Sequence, residues 1–81
     1  MEKRIHLVHY ALFRDARARD SEAVTTHAET PRELFDELGF GAAHPSPESW
    51  VRVAINDDFA AWDARLADGD TVVFVAPTAG G

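Results

Sequence analysis

Apolar residues recur along the chain mainly with the two-residue period of strands. In residues 4–11, RIHLVHYA, Ile5, Leu7, His9 and Ala11 fall on one face and His6, Val8 and Tyr10 on the other. This predicts a strand with apolar groups on both sides. Residues 22–28, EAVTTHA, predict a second strand, hairpin-paired with the first across the charged loop of residues 14–22. In residues 50–55, Val51, Val53 and Ile55 alternate with Arg52 and Ala54, a third strand. Residues 71–76, TVVFVA, are β-branched at nearly every position, which predicts a strand covered on both faces.

One segment breaks that period. The sequence TPRE places Thr30 as a helix N-cap, Pro31 at the first helical position and Glu33 where a capping box needs it. Leu34, Phe35 and Leu38 form one apolar stripe, and Gly39 suits a left-handed stop. Residues 39–49 read as a Gly- and Pro-rich connection without a motif. Residues 56–70 read as an irregular piece with turn chemistry at both ends, Asn56-Asp57-Asp58 and Asp68-Gly69-Asp70, whose Phe59, Trp62 and Leu66 require burial. The order ββαββ predicts an α+β domain over residues 1–76, a mixed sheet packed on one main helix, followed by a flexible tail at 77–81. One helix covers one face of so small a sheet. Val8 with Tyr10 and Val73 with Val75 are therefore left open on the other, as on partner-binding surfaces.

Composition narrows the function classes. With 81 residues the chain forms one small domain that buries about 60% of its unfolded surface. Fourteen acidic against eight basic side chains, net charge −6, argue against nucleic acid and anionic membranes. The opening resembles a signal peptide, but His6 and His9 interrupt it and no small-residue cleavage site precedes Arg14, so a cytoplasmic location is expected. The absence of cysteine removes disulfides, thiolate nucleophiles and zinc–thiolate sites. His6 and His9 lie on opposite strand faces and His44 in a loop, a poor metal-ligand set; satisfied or surface histidines are the simpler reading. The Asp57–Asp70 acids lack the closing Glu of a calcium loop, and Ser49, Thr71 and the histidines form no catalytic triad. No bound cofactor is expected.

The pattern L-x-DGD-x-V-x-F-x-x-P-x-x-GG over residues 66–81, with NDDF before it and VHYALFRD near the start, resembles the small subunit of molybdopterin synthase. That family has the β-grasp fold of ubiquitin. The resemblance implies a sulfur carrier. A ubiquitin-activator-like enzyme spends ATP to adenylate the carboxylate of Gly81, a sulfur donor converts it to a thiocarboxylate, and the tail enters the larger subunit of a heterotetramer. There it supplies sulfur for the dithiolene made from cyclic pyranopterin monophosphate, on catalytic groups of the larger subunit. Gly80 and Gly81 carry the chemistry in this reading; Tyr10, Phe59, Val75, Pro77, Thr78 and Ala79 meet the partner, with core packing the competing role for Phe59. Arg14 aligns with an arginine after the family's first strand, where a surface or capping role is equally open. Thiocarboxylate carriers of other pathways, for thiamin or tRNA thiolation, and ubiquitin-like modifiers of lysine are the alternatives.

A terminal carboxylate, with a pKa of about 3.5, is ionised at neutral pH and a poor electrophile, so it needs an activated ester before sulfur attacks. Glycines without Cβ let such a terminus thread a narrow channel.

Overall fold

The computed structural model describes residues 2–9, 13 and 20–76. Five strands form one sheet in the order β2-β1-β5-β3-β4. They are β1 (Lys3–His9), β2 (Ser21–Thr26), β3 (Arg52–Ile55), β4 (Asp58–Ala60) and β5 (Thr71–Val75). The hairpin of β1 with β2 is antiparallel as the alternation predicts, β5 runs parallel to β1, and β3 pairs antiparallel with both β5 and β4. The last strand in sequence thus lies at the sheet's centre.

The ββαββ reading omits β4. Asn56 and Asp57 both have positive φ, 51° and 74°, and the flanking Ile55 and Asp58 pair directly, so the two residues close a tight hairpin of the primed kind. The turn chemistry was visible in the sequence, but a three-residue strand of Asp58, Phe59 and Ala60 carries no alternation to reveal it.

Helix α1 (Pro31–Glu37) starts as its sequence predicts. The Thr30 hydroxyl accepts the Glu33 amide at 3.2 Å, and Glu33 reaches back to the Glu29 amide at 3.1 Å, one residue before the cap itself. The Arg32 amide, another N-terminal donor without a helical partner, donates to the Trp62 carbonyl at 3.1 Å. Gly39, at φ 90°, takes the left-handed conformation that ends the helix.

The following connection is more ordered than its Gly and Pro content suggests. It holds a short helix α2 (Phe40–Ala43) and a 3₁₀ turn (Pro47–Ser49), and buries Phe40 and Pro47. Arg32 grips this segment through both carboxylate oxygens of Glu48, at 2.6 and 2.7 Å.

Register assigns the core. Ile5, Leu7, Val53, Val72 and Phe74 share the sheet face beneath α1, and none is more than 1% exposed. Leu34 and Phe35 descend on them from α1, Phe40 from α2, and Leu66 closes the edge. Trp62 stacks on Phe74 with ring centroids 5.6 Å apart and donates its indole N–H to the Val51 carbonyl. Phe13, which no periodic segment contains, is also fully buried against Phe35, Phe40 and Phe74. His9 is a satisfied core histidine: its Nε2 lies 2.8 Å from Glu22 Oε2, with both side chains buried.

Candidate partner-docking face

The opposite face of the sheet follows from the same register. Val8 pairs with Val73, Val73 with Ala54, and Ala54 with Phe59, so these four side chains form a row across β1, β5, β3 and β4. Val75 extends the row beside Arg52, its direct partner on β3. No helix among the described residues covers them. Val8, Val73 and Val75 are half-buried by their neighbours, and Phe59 is 64% exposed. That exposure overturns core packing for Phe59 and places it with Val75 on one apolar surface. The Arg52 guanidinium lies 4.3 Å from the Phe59 ring centroid and caps one end of the row. Beside it, at the β4 edge, a cleft of about 180 Å³ opens between Glu48, Arg52, Phe59 and Trp62.

The acidic turn before β5 sets where that strand begins. Gly69, at φ 89°, donates its amide to the Arg4 carbonyl at 2.8 Å, while the Arg4 amide donates to Asp68 Oδ1 at 2.7 Å. Asp70 accepts from the Ala67 amide with one carboxylate oxygen and from the Asn56 side-chain amide with the other. Asn56 in turn accepts from the Thr71 amide at 2.9 Å. The turn thus ties the start of β1, the β3–β4 hairpin and the start of β5 together, which fixes the register of β5. The DGD acids are structural, as their turn propensity implies.

Tyr10, Arg14, Pro77, Thr78, Ala79, Gly80 and Gly81, and with them the boundary of the tail at 77–81, lie outside the described residues. The face therefore brings together Phe59 and Val75 of the predicted site, adds the open Val8 and Val73, and joins to them Ala54 and Arg52. Ala54 and Arg52 are placed there by the pairing of β3 with β5, opposite Val73 and Val75, a register the sequence does not reveal.

Residues 10–81 match the ThiS family. The chain belongs to the ThiS family. No curated protein matches the sequence. Among solved structures, the putative molybdopterin converting factor subunit 1 of Pyrococcus furiosus superposes with a TM-score of 0.69 at 23% identity, over 94% of this chain and 99% of that one. Small archaeal modifier protein 1 of Haloferax volcanii gives 0.70 at 19% identity, over 94% and 99%. The complex of subunits 1 and 2 of the molybdopterin-converting factor of Helicobacter pylori gives 0.58 at 19%, over 96% and 99%. These neighbours establish the β-grasp, ubiquitin-like fold for this ThiS-family chain. No helix among the described residues is long and apolar enough to cross a membrane.

Proposed function

We propose that this chain is the sulfur-carrying small subunit of a molybdopterin synthase. The observation that carries the reading is the junction at β5. A central strand, held in register by the DGD turn, runs along an uncovered apolar face and leads directly into a sequence that finishes in Gly80 and Gly81. A partner that covers Val8, Val73, Val75 and Phe59 takes hold of the domain beside the point from which the tail departs, so docking and delivery are mechanically linked.

In this reading the carboxylate of Gly81 is adenylated at the expense of ATP by a ubiquitin-activator-like enzyme. Sulfur then displaces AMP at the carbonyl carbon to give a thiocarboxylate. The carrier provides the electrophile and then the sulfur; the larger subunit provides the groups that act on cyclic pyranopterin monophosphate, within a heterotetramer. Net charge −6 on so small a domain favours encounter with basic partner surfaces, a rate effect that salt weakens. The neighbour that is itself one subunit of a two-subunit molybdopterin-converting factor supports a carrier that works in complex.

The test is co-expression with the activating enzyme, ATP and a sulfur source, read by intact mass. One sulfur should replace one oxygen, on Gly81, and hydrolysis should reverse it. Sulfur on an internal residue ends the carrier reading. Transfer of the loaded terminus to lysines of other proteins, with no dithiolene formed alongside a larger subunit, favours a modifier instead.

A further inference from the structure

The charge of the chain and the charge of its uncovered face have opposite signs. Following the register from β2 to β4, the outward strand positions of the described residues carry Arg4, His6 and Arg52 and no Asp or Glu, in a chain with 14 acidic side chains. The described acids belong to α1, the turns, the loops and the inward positions of β2 and β4. Net charge −6 therefore describes the rest of the surface and not this face. A partner can be basic where it meets the flanks and still need a different sign at the row of Val8, Val73, Val75 and Phe59.

The two arginines of the face differ in their surroundings. Arg4 stands beside the acidic DGD turn, where Asp68 accepts its backbone amide. Arg52 lies at the other end of β5, opposite Val75. Asp70 is five positions back along that strand, about 17 Å away, twice the screening length of about 8 Å in physiological salt. Glu48 lines the same cleft as Arg52, but both its carboxylate oxygens accept from Arg32. Arg32 and Arg65 each have a carboxylate partner; among the described residues Arg52 has none, and its guanidinium rests on the Phe59 ring. Its N–H donors are left to water.

A partner that buries Phe59 and Val75 takes this guanidinium out of water with them. A charge buried without a counter-ion opposes association strongly. A carboxylate supplies the opposite charge together with two acceptors in the geometry of the guanidinium fork. We infer that the surface docking on the outer face carries an Asp or Glu opposite Arg52, at the border of an apolar patch that covers Val8, Val73, Val75 and Phe59. The inference rests on the reading that a larger subunit docks there, and it adds the charge by which that subunit is recognised. A phosphate-bearing occupant fits poorly, because the row it would have to cover is apolar. Loss of water strengthens the contact of Arg52 with Phe59 as well, so the two side chains act as one anchor. A surface with Lys or Arg at the same place is repelled, which gives the face selectivity.

The test titrates the full chain calorimetrically against the larger molybdopterin synthase subunit of the same organism, as wild type, Arg52→Met, Arg52→Glu and, away from the face, Arg65→Met. Arg52→Met keeps an apolar stem without the charge and should raise Kd at least about tenfold, and Arg52→Glu at least about a hundredfold. Arg65→Met should stay within about twofold, and all should melt within a few degrees of the wild type. Arg52→Lys then locates the carboxylate. A carbodiimide, which joins an amine to a carboxylate in direct contact, should link position 52 to an Asp or Glu of the larger subunit, found by peptide mapping. Should Arg52→Met unfold, this cross-link decides. Binding of folded Arg52→Met within twofold of the wild type, or a cross-link confined to this chain's own carboxylates, overturns the inference. So does a wild-type dimer in sedimentation that Arg52→Glu dissolves, which gives the face to a second copy. A wild type that does not bind the larger subunit overturns it together with the docking on which it rests. Binding that persists while sulfur never loads Gly81 ends the carrier reading alone.

Discussion

The two faces of the sheet are built from the same kinds of residue on the same strands, and they have opposite fates. Beneath α1, Val72 and Phe74 are at most 1% exposed; one position along, Val73 and Val75 have no helix of the described residues above them. The alternation within TVVFV therefore separates a covered face from a half-covered one. A strand covered on both faces is the expectation from its unbroken β-branched run, and in isolation the domain covers one. In the proposed reading a partner supplies the second layer, and the contrast in burial is the measurable form of that statement.

The comparison breaks if the two faces respond alike to substitution. The largest effect should come from Phe74→Ala. It removes a fully buried ring that packs on Phe35 and Trp62, with centroids at 5.1 and 5.6 Å. A loss of about 3–5 kcal/mol of stability is expected, measured by denaturant unfolding. In a domain of this size that approaches the whole of its stability. A change below 1 kcal/mol would mean that the inner face is not the core.

On the outer face the same measurement should barely move while binding falls. Phe59→Asp and Val73→Lys should each weaken association with the larger subunit by about 2 kcal/mol, roughly thirtyfold in Kd. Both should unfold within about 1 kcal/mol of the wild type, since Phe59 gives up only solvent-exposed contacts and its Arg52 pair. Calorimetric titration against the purified partner, with thermal melts alongside, decides it. Unfolded variants would make the outer face core, and normal binding would put the interface elsewhere.

A smaller change sharpens the comparison at the hairpin that presents Phe59. Asp57 holds φ at 74°, a conformation that L side chains rarely adopt, and Gly is the favoured second residue of such a turn. Asp57→Gly should raise stability by about 0.5–1 kcal/mol in chemical denaturation and leave partner affinity within twofold. A loss of stability would show that the Asp57 side chain contributes something the turn geometry does not reveal.

What the sequence made legible follows how strongly each local signal repeats. Thr30, Pro31 and Glu33 act within one turn of chain, so the helix start and its caps could be read directly. Ile5, Leu7, Val53, Val72 and Phe74 sit in alternating runs long enough to show which side is buried. β4 and α2 were missed because three or four residues carry no period, and their existence depends on contacts made elsewhere. Phe40 is helical because its ring fits among Phe13, Phe35 and His9, and Phe59 is a strand residue because Ala54 stands opposite. The face itself was half visible: Val73 and Val75 could be named as open, but Ala54, Arg52 and Phe59 join them only through register across three strands. Phe59 shows the limit most clearly: the resemblance puts it at the partner and its size argues for the core, and only its pairing with Ala54 and its exposure decide for the outer face.

The smallest effect sits away from both faces and sets the baseline against which they are judged. Arg65 Nη1 donates to Glu29 Oε2 at 2.9 Å across the outside of the molecule. This hydrogen bond first, then the charge of Arg65 and that of Lys3, holds the Glu29 carboxyl below the ordinary glutamate range against a small opposing effect of desolvation. A carboxylate lowered in the folded state stabilises it above the unfolded pKa, and that contribution disappears as pH falls through the folded value. Arg65→Ala should therefore raise the Glu29 midpoint, followed by its side-chain NMR shift, back toward the ordinary glutamate range. The melting temperatures of variant and wild type should differ only slightly at neutral pH and converge in acid. Both partners are exposed, and such pairs contribute little because water screens them and ordering two side chains costs entropy. If removing Arg65 destabilised the domain as much as losing Phe74, burial would not be what distinguishes the inner face from the rest of the surface.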